Sequence, residues 1–187
     1  MTLTKALLWV VPLSLLLTGS AGEAGGPRYR DDGALIMPAD YRDWIFLSSG
    51  LDMSYSKAAE MAGHSMFDNV FVERAAWQGF KATGHWPDRT MLVMEVRGAN
   101  TKGSINEHGH YQTDERMGIE IHVHDEARFK GGWAFFLTDG SSPAQQVPYA
   151  AECYNCHLKH GAVDTTFVQF YPTAKAIATK AGTYRAE

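Results

Sequence analysis

The chain has only two cysteines, Cys153 and Cys156, no methionine after Met117, and no cluster of basic residues. Two thiols three positions apart cannot form the disulfide framework that staples a small exported domain, so their spacing points to chemistry instead. Seventeen Lys and Arg stand against 21 Asp and Glu, for a formal net charge of −4, and without a basic stripe nucleic acid is not an expected partner. The long apolar run, Ala6 to Leu17, falls short of the about 20 residues that span a bilayer. Charged residues at 20% and hydrophobic residues at 45% exclude a disordered composition and suit one globular domain. No internal repeat is evident.

What is present begins with Lys5, the apolar run, and the small residues Thr18-Gly19-Ser20-Ala21-Gly22. Residues 1–22 therefore read as a secretory signal peptide, with an uncleaved membrane anchor as the alternative. Export to the periplasm, with no membrane span after cleavage, is the expectation. Residues 23–34 carry Gly and Arg without a hydrophobic period and read as a flexible lead-in. The folded domain is expected over 35–187.

Within it, Trp44 to Leu47 and Phe67 to Val72 are aromatic and β-branched runs that predict strands. Glu73 to Thr83 places Ala75, Ala76, Trp77 and Phe80 at near-helical spacing and stops at Gly84, a residue suited to a helix exit. Thr90 to Val96, Gly118 to His124 and Trp133 to Leu137 predict further strands, and Thr173 to Lys180 a C-terminal helix. The strand over 118–124 alternates Ile119, Ile121 and Val123 with Glu120, His122 and His124, which predicts one buried and one wet face. The order of elements implies an α+β fold, a mostly antiparallel β-sheet with a few helices.

The segment Cys153-Tyr154-Asn155-Cys156-His157 carries the chemistry. Two cysteines at i and i+3 lie along one side of a helical turn, where both can add to the vinyl groups of a haem, and the adjacent histidine then serves as axial ligand. The expected cofactor is one covalent haem c attached near the C-terminus, with Cys153, Cys156 and His157 binding it and His157 on the metal. A thioredoxin-like dithiol and half of a zinc site completed by His160 are the alternatives.

Small electron-transfer cytochromes place a methionine well downstream of the haem motif, but only Leu158 to Glu187 follow it here, and they contain none. His/Met ligation of that kind is disfavoured. His122 and His124 could pair on a metal, but an alternating strand more readily turns them to solvent. His108 and His110 flank Gly109 in a polar loop, the commoner place for an exposed histidine.

Several further stretches can be set beside these: Leu35-Ile36-Met37-Pro38-Ala39-Asp40-Tyr41-Arg42-Asp43-Trp44, Asn69-Val70-Phe71-Val72, Phe80-Lys81-Ala82-Thr83-Gly84 with Trp86-Pro87-Asp88, Gly132-Trp133-Ala134-Phe135-Phe136, and Phe167-Val168-Gln169-Phe170-Tyr171-Pro172. With the late haem motif, the series resembles the cytochrome P-460 family, which includes the cytochromes c′-beta, over nearly the whole mature chain. The resemblance implies a mostly antiparallel β fold with helices, often a homodimer, carrying one five-coordinate c-type haem with a proximal histidine. It also implies, for the P-460 branch, oxidation of hydroxylamine or nitric oxide and a lysine cross-linked to the porphyrin. The matching position here is Met94, which has no amine, and neither Lys81 nor Lys102 fits the motif. The c′-beta branch has no cross-link and an apolar distal site suited to neutral diatomics, an environment that Met94 fits.

The expected function is that of a periplasmic mono-haem cytochrome of nitrogen-oxide chemistry, binding nitric oxide or oxidising hydroxylamine or nitric oxide, with Met94 among the cofactor-binding residues. A partner cytochrome is the expected redox partner. The alternatives are a six-coordinate electron-transfer cytochrome c for the function, weak ligation by the Met94 thioether for the sixth position, and plain core packing for Met94.

Overall fold

A computed structural model describes residues 25–54, 65–101, 105, 108–140 and 143–186. The segment read as a signal peptide and Lys102 lie outside them. Six strands form one antiparallel sheet in chain order: β1 (Ile45–Leu51), β2 (Met66–Val72), β3 (Met91–Asn100), β4 (Tyr111–His124), β5 (Trp133–Thr138) and β6 (Gln145–Gln146). Three α-helices lie among the described residues: α1 (Arg74–Thr83), α2 (Glu152–His160) and α3 (Pro172–Ala181). The fold is α+β, as the order of elements implied.

Local chemistry sets the helix ends. Gly84 takes φ 77° and donates its N–H to the Phe80 carbonyl at 2.7 Å, closing α1. A Cβ on Gly84 would lie 2.6 Å from the Ala181 Cβ, so only glycine lets the ends of α1 and α3 meet. Pro172 opens α3, where its missing N–H costs nothing, and Gly182 at φ 76° ends it.

Alternation along the strands divides the core in two. On one face Val70, Val72 and Leu92 pack with Ala76, Trp77 and Phe80 of α1 and with Ala174 and Ala178 of α3. Trp86 stacks on Phe80, ring centres 4.0 Å apart, and closes this layer. On the other face Met91, Val93, Ile119, Ile121, Val123 and Phe136 pack with Leu35, Tyr41 and Phe129.

Two expectations need correcting. The segment read as a flexible lead-in is, from Gly25 on, laid along the second face: Leu35 and Ala144 exchange backbone hydrogen bonds at 2.9 and 3.0 Å, Gly26 donates to Glu73 at 2.8 Å, and Pro27 is fully buried. Its polar composition hides this, because its anchors are backbone groups rather than an apolar period. Nor is the Glu120, His122, His124 side of β4 a wet face. It turns toward the helices, and His122 is 8% exposed. A polar residue on every second position reads the same whether that side meets water or a lined cleft.

Candidate functional site

The cysteine motif forms α2, an unusual helix in that none of its residues is fully buried. Its half-buried residues are Cys153, Tyr154, Cys156, His157 and His160, spaced three and four apart on one side. Tyr154 holds this side to the sheet, donating its hydroxyl to the Val147 carbonyl at 3.0 Å and accepting the Phe135 N–H at 3.2 Å. Arg185 holds the other end, its guanidinium donating to the carbonyls of Leu158, Lys159 and Gly161. A cation on these carbonyls at the end of the helix also opposes the negative end of the helix dipole.

Both thiols are free. Burial, and then the neighbouring Cys153, push the Cys156 thiol up, against the direction that activates a redox dithiol.

His157 is enclosed by aromatic rings: Phe167 at 4.2 Å, Phe135 at 4.5 Å and His122 at 5.0 Å between ring centres. Burial lowers its pKa, so the ring is neutral at pH 7. Its Nδ1 lies 2.8 Å from the Thr165 carbonyl, which can only accept, so Nδ1 carries the proton. Nε2 is then the unprotonated nitrogen, the state and tautomer in which histidine ligates a metal.

His157 and Cys156 form one wall of a cleft of about 480 Å³, within the range of small-molecule and cofactor sites. Val70, Leu92, Met94 and Phe135 rise from the sheet as its floor, and Phe167 and Phe170 close a side. Met94 lies between Val70 of β2 and Glu120 of β4 in the strand register. It is half-buried and also packs against the helix-side core. Met94, Cys156 and His157 thus share one cavity, and Cys153 lies one helical turn before Cys156. Lys81 is exposed on α1, and no lysine is among the described residues that line the cleft.

Asp68 and Glu120 also line the cleft, and sequence reasoning had not singled them out. Burial, helped by the charges of Glu120 and Asp52, pushes Asp68 up to about 6. Burial also raises Glu120, whose surface opens to the cleft while its walls thin out the surrounding water. Side-chain parity is the signal that could have found Glu120, since it lies on the His122 side of β4. Glu95 and Arg97 fall on the opposite face, where Glu95 accepts from Tyr41, Arg42 and Arg97. His108 and His110 are exposed and are not among the lining residues.

The reading of His122 and His124 as solvent-facing is overturned. His122 stacks on Phe135 at 4.1 Å, and burial holds it neutral; its Nε2 is buried and has no hydrogen-bond partner among the described residues. His124 stacks on Trp133 at 4.5 Å and places Nδ1 3.0 Å from the Pro87 carbonyl. Among the described residues no three His, Cys, Asp or Glu side chains come together as a metal site. No helix among them is long and apolar enough to cross a membrane.

A search of curated proteins found no match to the chain. The family model described as Cytochrome P460 matches residues 38–168, a span that takes in the sheet, both cysteines and His157. That match implies a haem cofactor and a cytochrome of nitrogen chemistry. With more than half its length inside the match, the chain belongs to the cytochrome P460 family.

Proposed function

We propose that this protein is an exported, periplasmic mono-haem c-type cytochrome that binds nitric oxide, or oxidises hydroxylamine or nitric oxide, at a five-coordinate haem. One observation carries the reading: a neutral histidine with its Nδ1 proton committed to a backbone carbonyl stands in an apolar cleft, on the helix face it shares with two free thiols. Cys153 and Cys156 would hold the group through thioether bonds, and His157 Nε2 would be its axial ligand. Haem supplies the open coordination position and the redox couple.

The chain's own residues do the rest. Val70, Leu92, Phe135 and Phe167 exclude water and favour small neutral ligands over charged ones. Asp68 and Glu120 are positioned to accept protons as a small nitrogen substrate loses electrons, and at about 6 Asp68 is a usable base at neutral pH. Methionine at position 94 offers no amine at the place where the resemblance implies the P-460 cross-link. Oxidation also needs an electron acceptor, for which a partner cytochrome is the natural class.

The test is the absorption spectrum of reduced protein, matured in a haem-attaching periplasm, before and after nitric oxide or carbon monoxide. A shifted Soret band is expected. An unchanged spectrum would sink the open-site reading in favour of a six-coordinate electron carrier, with the Met94 thioether as the group then to examine. Assay with hydroxylamine and an electron acceptor separates turnover from binding.

A further inference from the structure

The carbonyl that orients His157 belongs to a strained piece of backbone. Asp164 has φ 47° and Thr165 φ 60°, consecutive left-handed residues of which the second is β-branched. Such a conformation persists only where surrounding contacts impose it. Here the contacts come from the connection between α1 and β3. The Trp86 N–H donates to Asp164 Oδ2 at 2.8 Å, and the indole N–H donates to Thr166 Oγ1 at 2.9 Å. His85 Nδ1 lies 2.8 Å from the second oxygen of Asp164, and the Thr166 hydroxyl donates to the Val163 carbonyl at 2.6 Å. Trp86 therefore grips the loop on both sides of Thr165. Gly161 completes the fit, because a Cβ there would lie 2.6 Å from both the His157 oxygen and the Thr165 carbonyl carbon.

We infer that Trp86, Asp164 and Thr166 act together as positioning residues for the axial ligand, holding the strained Thr165 carbonyl against His157 Nδ1 and so setting the imidazole's orientation and electron donation. The inference rests on His157 being the axial ligand, as proposed above. Partners of a ligating histidine commonly alter metal affinity or activity by about 10–100-fold when removed. A free Asp164–Thr165 segment relaxes toward ordinary φ values and withdraws its carbonyl, making the imidazole a poorer donor and favouring reduced iron.

The decisive measurement is the iron–imidazole stretching band of the reduced holoprotein by resonance Raman, paired with the midpoint potential. Asp164→Ala should lower and broaden the band and change the oxidised-to-reduced ratio at fixed poise by about tenfold, or about 59 mV upward. Asp164→Asn, which keeps an acceptor for the Trp86 N–H, should restore most of both. Thr166→Val should move both in the same direction as Asp164→Ala, and it decides the matter if Asp164→Ala does not fold. Thr83→Ala, which breaks the Thr83 hydroxyl's contact with the His85 carbonyl in the same connection, should lower stability without moving the band. If the wild type shows no iron–imidazole band, the reading of a five-coordinate haem ligated by His157 fails. If it shows one and the folded Asp164 and Thr166 variants keep it and the potential unchanged, this inference fails alone.

Discussion

Helices α1 and α2 are nearly equal in length, ten residues and nine, and they finish opposite kinds of layer. Helix α1 buries Ala76, Trp77 and Phe80, and its aromatic rings close against Trp86. Helix α2 buries nothing fully; its inner side faces a cleft that holds a neutral histidine, two carboxylates of raised pKa and, in His122, a buried nitrogen without a partner among the described residues. The first region has spent its apolar surface on the chain itself, and the second keeps it for something else. That contrast is why stability and function can be perturbed separately here.

The largest expected effect comes from the cleft. Replacing both Cys153 and Cys156 with serine should abolish covalent haem, read as loss of the pyridine haemochrome signal and a mass equal to the processed polypeptide. The sheet and its far core should still fold, since neither thiol packs in either cluster. A native far-ultraviolet circular dichroism spectrum checks this.

Next comes the packed layer. Phe80 is fully buried between Trp77 and Trp86, so Phe80→Ala should cost about 3–5 kcal/mol in denaturant unfolding through lost transfer energy and a cavity. Haem should nevertheless remain attached in the folded fraction. If that variant lost haem as completely as the cysteine pair, the two regions would not be separable.

The smallest effect is a pH dependence centred on Asp68. Its folded pKa, about 6, lies above the unfolded value, so the native state binds more protons and stability falls as pH rises between about 4 and 6. The penalty is absent below that window and complete above it. Asp68→Asn should therefore stabilise the protein at pH 7 by about 1–2 kcal/mol, allowing for water in the open cleft, and make little difference at pH 4. Urea titrations at the two pH values settle the sign.

Much of this was legible along the chain. Aromatic and β-branched runs, with period-two alternation in β3 and β4, marked five of the six strands, Gly84 marked the end of α1, and the cysteine spacing marked α2. The two-residue β6 is too short to carry a pattern. The long hairpin of β3 and β4 also escaped, because Arg97 to Asn100 and Tyr111 to Met117 extend past the core with polar side chains. Backbone pairing sustains a ladder there without an apolar period.

In the site, the motif named His157 and the family resemblance named Met94, but nothing local distinguished Glu120 or Asp68 from ordinary strand carboxylates. His122 misled for a definite reason: its neighbours in space, Phe135 and His157, lie 13 and 35 positions away, beyond the reach of any window on the alternating pattern.

By itself, then, the amino-acid order determined which residues alternate, where two helices stop, and that two thiols and a histidine share a helical face, because each is a property of neighbours a few positions apart. Only the tertiary structure decided that both faces of the sheet are covered, that two carboxylates join Met94 in one cleft, and that Thr165 presents its carbonyl to His157. Those depend on strand register and on a loop held in left-handed backbone by a distant tryptophan, contacts that exist only after the chain has closed on itself.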